Sequence, residues 1–568
     1  MKNEKIINPG KDIKEMLYYC MRMVPDNGAF KVKKGGEIIT VSFSDLYDQV
    51  RNLGTKLLSL GFGQKRIGII GDNCYPWYCT FLAAVNSGIV AAPFDKGFTV
   101  EELSTCITRS KISALFYDEK HESIAHDAVK SSGMEVQLFK ITGNDEVFSS
   151  MIEEGKQKIE EGDTSYDDVV IAEKELAILL FTSGTTSSSK AVMLSHYNLM
   201  SNIIDMQHFE DFYPWDVNMA FLPFHHSFGL VGVMVFLASG ACNVFCDGLK
   251  YVQKNMTEYG VTVFVGVPLI VENLYKKVMK KIKKDGLEKK INTAIKLSRA
   301  LKAVGIDKRR KIFAKVIEGL GGHLRLIIVG AAAVAPDAAQ GLNDFGITTI
   351  QGYGLTETSP VLAAERPGDL ACGSVGKSMP RVEIVLKDTD DEGIGEIVAR
   401  GPNVMLGYLD QPEETAEVLK DGWFYTGDLG SFDKKGNLWI RGRKKNVIVM
   451  KNGKNIFPEE IEGLVGNLPY VAENMVFTRE KHNEFVLWIK VVYRQDYLQQ
   501  ENISEDELAQ QVRKDILAIN SAMPQYKHIN HFILTDQPMI KTTTQKVKRN
   551  LEIAEIALHQ DEEKSYNI

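Results

Sequence analysis

The chain has 568 residues, of which 44% are hydrophobic and 25% charged, and its formal net charge is -7. These proportions are typical of a globular protein with roughly three to four domain-sized units, and the negative charge argues against general nucleic-acid binding. The seven cysteines include no C-x-x-C pair that would suggest zinc. The N-terminal sequence MKNEKIINPGKDIKEM lacks the apolar segment of a signal peptide, so we expect a cytoplasmic protein.

Helix and strand patterns alternate along the first part of the chain. FSDLYDQVRNLGTKLLSLG has apolar residues at helical spacing and ends in glycine. RIGIIG and IVAAPF are typical of strands, and the intervening WYCTFLAAVNSG is typical of a helix. The alternation returns at 259–275, in LRLIIVGAAAVAP and in ITTIQGYG. It predicts an α/β fold in which helices cover parallel-rich sheets.

An uncharged, mostly apolar run extends from Ser227 to Cys246 and approaches the length of a membrane span. It contains three glycines and follows two histidines and a proline. We therefore predict a buried helix that leads into a strand.

The pattern changes from about residue 373. Glycine-rich, short strand candidates such as VEIVL, GEIVARG and NLWIRG predict a small β-rich, barrel-like subdomain at about 373–444. An α+β pattern follows, with helices at 458–467 and 505–520 and strands near 471–478 and 484–493. The predicted domains are a large one at 1–444 and a small one at 445–568.

Residues 276–315 carry about sixteen Lys or Arg and three acidic residues. Apolar residues such as Tyr275, Met279 and Ile282 recur at helical spacing. The segment is either a basic surface that meets an anionic membrane or acidic partner, or a solvated helical hairpin packed on the domain.

The most informative segment is LFTSGTTSSSKAVM at 180–193, a hydroxyl-rich loop between two apolar runs. Gly184 permits unusual backbone geometry, the hydroxyl and N–H groups can donate to phosphate oxygens, and Lys190 adds a charge. A Walker P-loop would need G-x-x-x-x-G-K-[ST], which this loop lacks. A polyphosphate site and a plain polar loop between strands are both compatible with these residues alone.

Further motifs follow in order: PFHHSFG at 223–229, QGYGLTE at 351–357, YTGD at 425–428, RGRKK at 441–445 and TTTQKVKR at 542–549. Together with the hydroxyl-rich loop they resemble the adenylate-forming superfamily of acyl-CoA synthetases, luciferases and peptide-synthetase adenylation domains. The resemblance covers essentially the whole chain and is closest to bacterial long-chain fatty acid–CoA ligases. It implies that ATP and Mg²⁺ convert a carboxylic acid into an acyl-adenylate, from which coenzyme A takes the acyl group.

The resemblance assigns the nucleotide-binding residues. The loop, represented by Thr182, Ser183, Gly184, Thr185, Thr186 and Lys190, would bind the β- and γ-phosphates. Thr356 would touch the α-phosphate and Glu357 would hold Mg²⁺, which prefers carboxylate oxygen. The remaining contacts would come from Gly330, Ala331 and Ala332 beside adenine and the acyl group, Gly352, Tyr353 and Gly354 at adenine, and Asp428 and Arg443 at the ribose.

The resemblance also implies the catalytic roles. Lys546 would bridge the carboxylate and the α-phosphate and offset charge in the transition state. His226 would orient the acid, although the adjacent His225 is a possible alternative, and Phe228 would line the acyl pocket. Gly330 would also border the acyl group, and Thr185 and Glu357 would assist catalysis at the phosphates.

The second half-reaction requires a rearrangement in this family. The C-terminal domain would be a mobile lid that pivots at Lys445 and withdraws Lys546. Gly453 would then border the path of the pantetheine arm.

Departures from the family pattern occur in two motifs. The phosphate loop usually has Gly, Pro and Gly where this chain has Ser187, Ser189 and Ala191, and Gln545 stands where Gly is frequent. The hydroxyl groups of Ser187 and Ser189 keep hydrogen-bond donors in the loop, so we expect activity to survive.

The substrate predicted by resemblance is a medium- to long-chain fatty acid. An acyl carrier protein is the alternative acceptor, because its phosphopantetheine arm presents the same thiol and the basic segment would suit an acidic protein. A non-catalytic acyl- or nucleotide-binding homologue is a second alternative. It would be expected to lack Glu357, Lys546 or the hinge motif, all of which are present.

Overall fold

A computed structural model describes residues 4–143, 146–182, 190–450, 454–481, 484–541, 547–559 and 564–568. The chain forms two compact units. The first comprises Met1–Ile384, Ala399–Tyr425 and Gly436–Leu438, and the second comprises Val385–Val398, Thr426–Lys435 and Trp439–Ile568. The domain boundary between residues 444 and 445 stays a prediction.

The first unit contains two large sheets that are mostly parallel. Among the described residues, the nine-stranded sheet has the order Lys377–Ser378, Val361–Ala364, Thr348–Gly354, Leu326–Val329, Val263–Gly266, Val217–Ala220, Cys242–Phe245, Gly28–Lys34 and Glu37–Ser42. The seven-stranded sheet, counted the same way, has the order Gly407–Tyr408, Ala191–Ser195, Leu176–Phe181, Val90–Phe94, Arg66–Ile70, Ala114–Tyr117 and Gln137–Lys140. Antiparallel pairs lie only toward the ends of these described sheets.

Helices accompany both sheets, and most of them bury apolar residues. They are Ile13–Met23, Phe43–Ser59, Tyr75–Asn86, Val100–Ser110, Glu122–Ser132, Glu146–Glu160, Ser165–Asp168, His196–Phe209, Ser227–Ala238, Val252–Tyr259, Pro268–Lys284, Glu288–Ala303, Arg309–Ile312, Ala314–Gly319, Pro336–Asp344 and Pro412–Val418. The predicted strands 66–71 and 89–94 pair in parallel, with Ile69 opposite Pro93. The predicted α/β fold with parallel-rich sheets is therefore confirmed.

The apolar run from Ser227 to Cys246 forms the helix Ser227–Ala238 and the strand Cys242–Phe245, as predicted. Most of the helix is buried in the main core of the first unit. In the described parts of the chain, no helix combines the length and apolar character needed to cross a membrane.

The basic segment forms the helices Pro268–Lys284 and Glu288–Ala303 and two shorter ones after them. Ile282 packs with Phe313 and Phe345, and Met279 and Ile291 lie against this cluster. The segment is thus a helical hairpin packed on the first unit, with most of its lysines exposed.

Five further strands occupy the β-rich region among the described residues: Glu383–Lys387, Gly395–Arg400, Leu419–Lys420, Trp423–Phe432 and Leu438–Arg443. Three of them coincide with the strand candidates VEIVL, GEIVARG and NLWIRG.

The later part of the second unit is α+β, as its sequence pattern predicts. Its strands are Ile448–Val449, Asn455–Ile456, Val471–Lys481, Glu484–Tyr493, His531–Thr535 and Ser565–Asn567. Its helices are Pro458–Gly466, Gln495–Glu501, Glu505–Ser521 and Arg549–Leu558. Ile461, Ile489 and Val512 are fully buried in a core of their own.

Candidate active site

The flanks of the hydroxyl-rich loop are two strands of the seven-stranded sheet. Leu176–Phe181 and Ala191–Ser195 pair antiparallel, with Phe181 opposite Ala191. The Thr182 N–H donates to the carbonyl oxygen of Lys190 at 2.9 Å, so the two ends of the loop are held together. The predicted phosphate-binding residues Ser183, Gly184, Thr185 and Thr186 lie outside the described residues, as do Ser187 and Ser189.

Glu357 and Lys190 are brought together through Tyr408. The Tyr408 hydroxyl donates to Glu357 Oε1 at 3.0 Å, and Lys190 Nζ lies 4.4 Å from the centroid of the same ring. Tyr408 itself is 5% exposed. Two residues that the resemblance places around the ATP phosphates therefore share one buried aromatic side chain.

Backbone hydrogen bonds fix the segment that carries Tyr408. The Met405 N–H donates to the Glu357 carbonyl oxygen at 2.8 Å, and the Leu409 N–H donates to the Ala191 carbonyl oxygen at 2.8 Å. Gly407 and Tyr408 form a short antiparallel pair with Met193 and Val192. The segment connects the turn that holds Glu357 to the strand that leaves the loop.

Thr356 lies close to Ser227, the residue that follows His226. Ser227 begins the helix Ser227–Ala238, and its Oγ lies 3.5 Å from Thr356 Oγ1. His226 is the N-cap residue of that helix and is half-buried. Gly229 makes this turn possible, because a Cβ at that position would lie 2.2 Å from the Pro223 carbonyl oxygen.

His225, the neighbour of His226, is buried against Asp95. His225 is 5% exposed, and its Nε2 lies 3.3 Å from Asp95 Oδ1. The two histidine rings have centroids 4.3 Å apart. The predicted role of orienting the acid is open to either ring. His225 is the more deeply buried of the two, and one ligand atom each of Asp95, His225 and His226 lie within 4.8 Å of one another.

Phe228 and Gly330 are in direct contact. A Cβ on Gly330 would lie 2.8 Å from Phe228 Cε1, so the ring fills the space that the glycine leaves. Phe228 also lines a small, mainly apolar cavity, whose other lining residues are Asn218, Met219, Ala220, Phe221, Leu222, Gly229, Gly232, Val233 and Val265. Most of the wall of this cavity has no hydrogen-bonding side chain, so the surface beside Phe228 is mainly apolar.

The turn after Gly330 is held by the neighbouring strand. Ala331 adopts the left-handed conformation, with φ at 71°, and Ala331 and Ala332 are exposed. The Val334 N–H donates to Gln351 Oε1 at 3.0 Å, which ties this turn to the strand Thr348–Gly354.

The predicted adenine-contacting residues belong to that strand. A Cβ on Gly354 would lie 1.8 Å from the Pro360 carbonyl oxygen, whereas one on Gly352 would meet nothing closer than 3.6 Å. Gly354 is thus required by the protein's own turn, whereas a side chain at Gly352 would make only ordinary van der Waals contacts. Tyr353 is half-buried between them and packs against an apolar cluster.

The buried carboxylate of Glu365 holds the strand Thr348–Gly354 on the side of the next strand. Glu365 accepts from the Gln351 N–H and the Ala371 N–H, both at 2.9 Å. Burial raises the pKa of Glu365 above its ordinary value.

The second unit brings the two predicted ribose-binding residues together. Arg443 Nε lies 2.7 Å from Asp428 Oδ1, and the Asp428 side chain is buried. Lys444 Nζ lies 2.7 Å from Glu396 Oε2, and Glu396 Oε1 accepts from the Gly427 N–H at 3.2 Å. Lys445, the predicted hinge, is exposed in the turn Lys444–Asn446.

Two predicted residues of the C-terminal region, Gly453 and Lys546, lie outside the described residues. Sequence reasoning missed Tyr408, Asp95 and Gln351 as members of the site. Asp95 follows the parallel strand Val90–Phe94 directly, and polar residues at that edge of a sheet often face a ligand site. The position of Asp95 directly after a predicted strand could therefore have indicated that it belongs to the site.

A family model described as AMP-binding enzyme matches residues 20–409, and one described as AMP-binding enzyme C-terminal domain matches residues 445–558. The chain belongs to the AMP-binding enzyme family. The predicted resemblance to adenylate-forming enzymes is therefore confirmed.

This AMP-binding enzyme has relatives that align with about three quarters of its length. Long chain acyl-CoA synthetase 4 of Arabidopsis thaliana is 28% identical over 481 residues, which are 78% of this chain and 72% of that protein. Long-chain-fatty-acid–CoA ligase 5 of Rattus norvegicus is 30% identical over 456 residues, which are 75% of this chain and 67% of the rat protein.

Solved structures share the fold of this AMP-binding enzyme. ATP-bound MatB from Rhodopseudomonas palustris has a TM-score of 0.74 at 24% identity, with 97% of this chain and 99% of that chain covered. Mycobacterium tuberculosis fatty acyl CoA synthetase has a TM-score of 0.66 at 19% identity, with 96% and 99% covered. These likenesses confirm the predicted fold class.

Proposed function

We propose that this enzyme activates a medium- to long-chain fatty acid with ATP and transfers the acyl group to coenzyme A. The proposal is supported by the family and by relatives named for long-chain acyl-CoA synthesis. The observation that carries it is the placement of Glu357 and Lys190 on either side of Tyr408. A carboxylate for a cation and an ammonium for phosphate are thereby fixed at the exit of the hydroxyl-rich loop.

In the first half-reaction, a carboxylate oxygen of the acid attacks the α-phosphorus of ATP. A P–O bond forms, the bond to the bridging oxygen breaks, and pyrophosphate leaves with the electron pair. Both reactants are anions, so the residues must lower their repulsion. Lys190 and the loop N–H groups bind the outer phosphates, Thr356 donates to the α-phosphate, and Lys546 bridges the two reacting groups.

The donor set at Glu357 fits Mg²⁺. Glu357 Oε1 accepts from Tyr408, while Oε2 accepts no hydrogen bond from any residue that the structure describes. A half-buried carboxylate oxygen of this kind suits a hard cation. When bound, Mg²⁺ would neutralise charge on the phosphate oxygens.

The ribose and the base are bound by separate groups in this proposal. Asp428 accepts from ribose hydroxyls, and Arg443 holds its carboxylate in place by the contact at 2.7 Å. Tyr353 lies against adenine, with Gly352 leaving room for the base.

The acid is oriented at the start of the helix Ser227–Ala238. His226 binds the carboxylate, Phe228 lines the pocket, and the alkyl chain extends along the apolar residues beside that ring. Each buried CH₂ contributes about 0.8 kcal/mol, so neighbouring chain lengths would be accepted with modest differences.

In the second half-reaction, the thiol sulfur of coenzyme A attacks the acyl carbon. A C–S bond forms, the C–O bond to AMP breaks, and the thiol proton is lost. Rotation at Lys445 removes Lys546 and brings Gly453 to the thiol path. An acyl carrier protein would use the same steps, and it is the alternative acceptor.

Labelled pyrophosphate exchange tests the first half-reaction. Purified enzyme with ATP, Mg²⁺ and palmitate should incorporate labelled pyrophosphate into ATP, and omission of the acid should abolish exchange. Failure with short, aromatic and long acids alike would refute acid activation and favour the non-catalytic homologue. Palmitoyl thioester formed on carrier but not on coenzyme A would refute the proposed acceptor.

We also propose a peripheral membrane contact through residues 276–315. The segment is strongly basic, and its exposed surface includes the apolar residues Leu297 and Val304, which are 58% and 73% exposed. Lysines around exposed apolar side chains suit the surface of an anionic bilayer.

Vesicle sedimentation tests this contact. Binding should need phosphatidylglycerol, decrease with salt and weaken in the double variant Leu297→Glu/Val304→Glu. The matched variant Val170→Glu changes another exposed valine and should have no effect. Equal sedimentation with neutral phosphatidylcholine vesicles would contradict an electrostatic membrane contact.

A further inference from the structure

We propose that Tyr408 is a positioning residue that sets the metal-binding carboxylate of Glu357 and the phosphate-binding ammonium of Lys190 together. This inference rests on the proposed function, because it assigns those two roles to Glu357 and Lys190. It adds that one side chain contacts the metal-binding residue through its hydroxyl and the phosphate-binding residue through its ring.

The contacts of Tyr408 differ in kind on its two sides. The hydroxyl donates to Glu357 Oε1 at 3.0 Å, a charge-assisted hydrogen bond. The ring presents its π-system to Lys190 Nζ at 4.4 Å from the centroid, within the range of a cation–π contact. Removing the hydroxyl should therefore release Glu357 and keep the Lys190 contact, whereas removing the ring should affect both Glu357 and Lys190.

Tyr408 is held in place independently of Glu357 and Lys190. Its N–H donates to Thr415 Oγ1 at 2.9 Å, and Thr415 Oγ1 donates to the Gln411 carbonyl oxygen at 2.7 Å. Gly407, with φ at 141°, lets the chain pass Thr415, because a Cβ there would lie 2.9 Å from Thr415 Cγ2. The backbone thus determines where the tyrosine side chain points.

The hydrogen bond from Tyr408 orients the carboxylate of Glu357. A glutamate side chain has several rotatable bonds and loses freedom when it binds a cation. The hydrogen bond to Oε1 fixes the carboxylate in advance and leaves Oε2 to the cation, so less freedom is lost when the cation binds. The benefit should appear as tighter nucleotide binding in the presence of Mg²⁺ and not in its absence.

Calorimetry with a non-hydrolysable ATP analogue measures this without turnover. Wild type, Tyr408→Phe and Tyr408→Leu are titrated once in EDTA and once in excess Mg²⁺. Tyr408→Phe should bind the analogue in EDTA as tightly as the wild type does. The increase in affinity that Mg²⁺ produces should be about tenfold smaller than in the wild type, which is the effect of one hydrogen bond to a charged group. Tyr408→Leu should lose the same gain and also bind more weakly in EDTA, because the Lys190 contact is gone.

Tyr197→Phe is a matched control. Tyr197 also lies beneath a lysine, with Lys174 Nζ 5.3 Å from its centroid, and it belongs to a helix next to the same sheet. This variant should bind the analogue as the wild type does with and without Mg²⁺. Thermal unfolding of each variant establishes that the chain remains folded.

The outcomes separate the inference from the function. If wild type shows no Mg²⁺-dependent binding and no pyrophosphate exchange, the proposed function fails. If wild type shows both and Tyr408→Phe retains the full Mg²⁺ gain, the role of Tyr408 is wrong. Equal losses in EDTA and in Mg²⁺ would mean that Tyr408 only maintains structure. In a double-mutant cycle, Tyr408→Phe should have no further effect on the Mg²⁺ gain once Glu357→Gln is present, and additive losses would also overturn the proposal.

Discussion

Phe228 occupies the space that a side chain at Gly330 would need. A Cβ at position 330 would lie 2.8 Å from Phe228 Cε1 and 2.9 Å from its Cζ. Phe228 also lines the apolar cavity. The missing side chain at position 330 therefore leaves room for the ring that lines this cavity.

Gly330→Ala should impair binding of the acid more than binding of ATP. The added methyl group must displace the Phe228 ring, and overpacking of this kind costs about 1–3 kcal/mol. We expect a KM for palmitate raised about tenfold or more, with a smaller change in the KM for ATP. Gly319→Ala is the control, because a Cβ there meets no atom within 4 Å. Equal changes in both KM values would show that Phe228 does not act on the acid alone.

Gly232→Leu should shift the substrate preference toward shorter acids. Gly232 lines the same cavity, and its nearest neighbour, Val265 Cγ1, would be 3.9 Å from a new Cβ. The Cβ of a leucine would be in ordinary contact there, and the rest of its side chain would reduce the space at this wall of the cavity. AMP release across an acid series from octanoate to stearate measures the preference, with each lost CH₂ contact costing about 0.8 kcal/mol. An unchanged profile would place the alkyl chain elsewhere, and Gly319→Leu controls for leucine in a helix.

The sequence patterns predict local structure well and long-range pairs poorly. The strands 66–71 and 89–94 and the buried helix after Ser227 follow from periodicity, because each element's residues set its own apolar face. Thr182 and Lys190 are close because they flank two strands that pair antiparallel. These features need no knowledge of distant residues.

The contacts of Tyr408 and Asp95 required the fold. Tyr408 meets Glu357 across 51 positions because a two-residue strand pairs with Ala191–Ser195 in one register. A shift of one residue would turn the ring to the other face of the sheet. Asp95 follows a strand of the seven-stranded sheet, and His225 follows a strand of the nine-stranded sheet. Their contact depends on how the strands are ordered in the two sheets, which no local sequence pattern encodes.

Lys546→Ala should separate the two half-reactions. The resemblance gives Lys546 a role only in adenylate formation, where its positive charge offsets the negative charge that develops in the transition state. The variant should form little acyl-adenylate and retain thiolysis of supplied palmitoyl-AMP. Lys548→Ala, two residues away in the same basic stretch, serves as the comparison. Equal damage to both half-reactions in Lys546→Ala would refute this assignment.

Lys445→Pro should produce the opposite pattern. Lys445 is exposed in a short turn, and proline would fix its φ and oppose a rotation there. Pyrophosphate exchange should continue while thioester formation decreases. Lys445→Ala retains backbone freedom and should support both steps. Full acyl-CoA synthesis by the proline variant would contradict a hinge at this residue.

Glu210→Gln should remove a pH dependence from the stability of the first unit. Both carboxylate oxygens of Glu210 are buried without a hydrogen bond from the described residues, and burial, with Asp211 nearby, raises the pKa of Glu210 to about 9. Because this value lies above the ordinary 4.5, the folded protein holds a proton that the unfolded chain releases. The stabilisation is complete below pH 4.5 and is lost as the pH rises toward 9.

Denaturant midpoints between pH 6 and 9 measure the effect on stability. Wild type should lose up to about 1.4 kcal/mol per pH unit relative to Glu210→Gln, since one proton is released on unfolding in this range. The exposed Glu175→Gln should follow the wild-type profile. Parallel profiles for wild type and Glu210→Gln would mean that Glu210 is already ionised in the folded protein, with Lys5, Arg325 and Arg366, whose charges lower its pKa, outweighing burial.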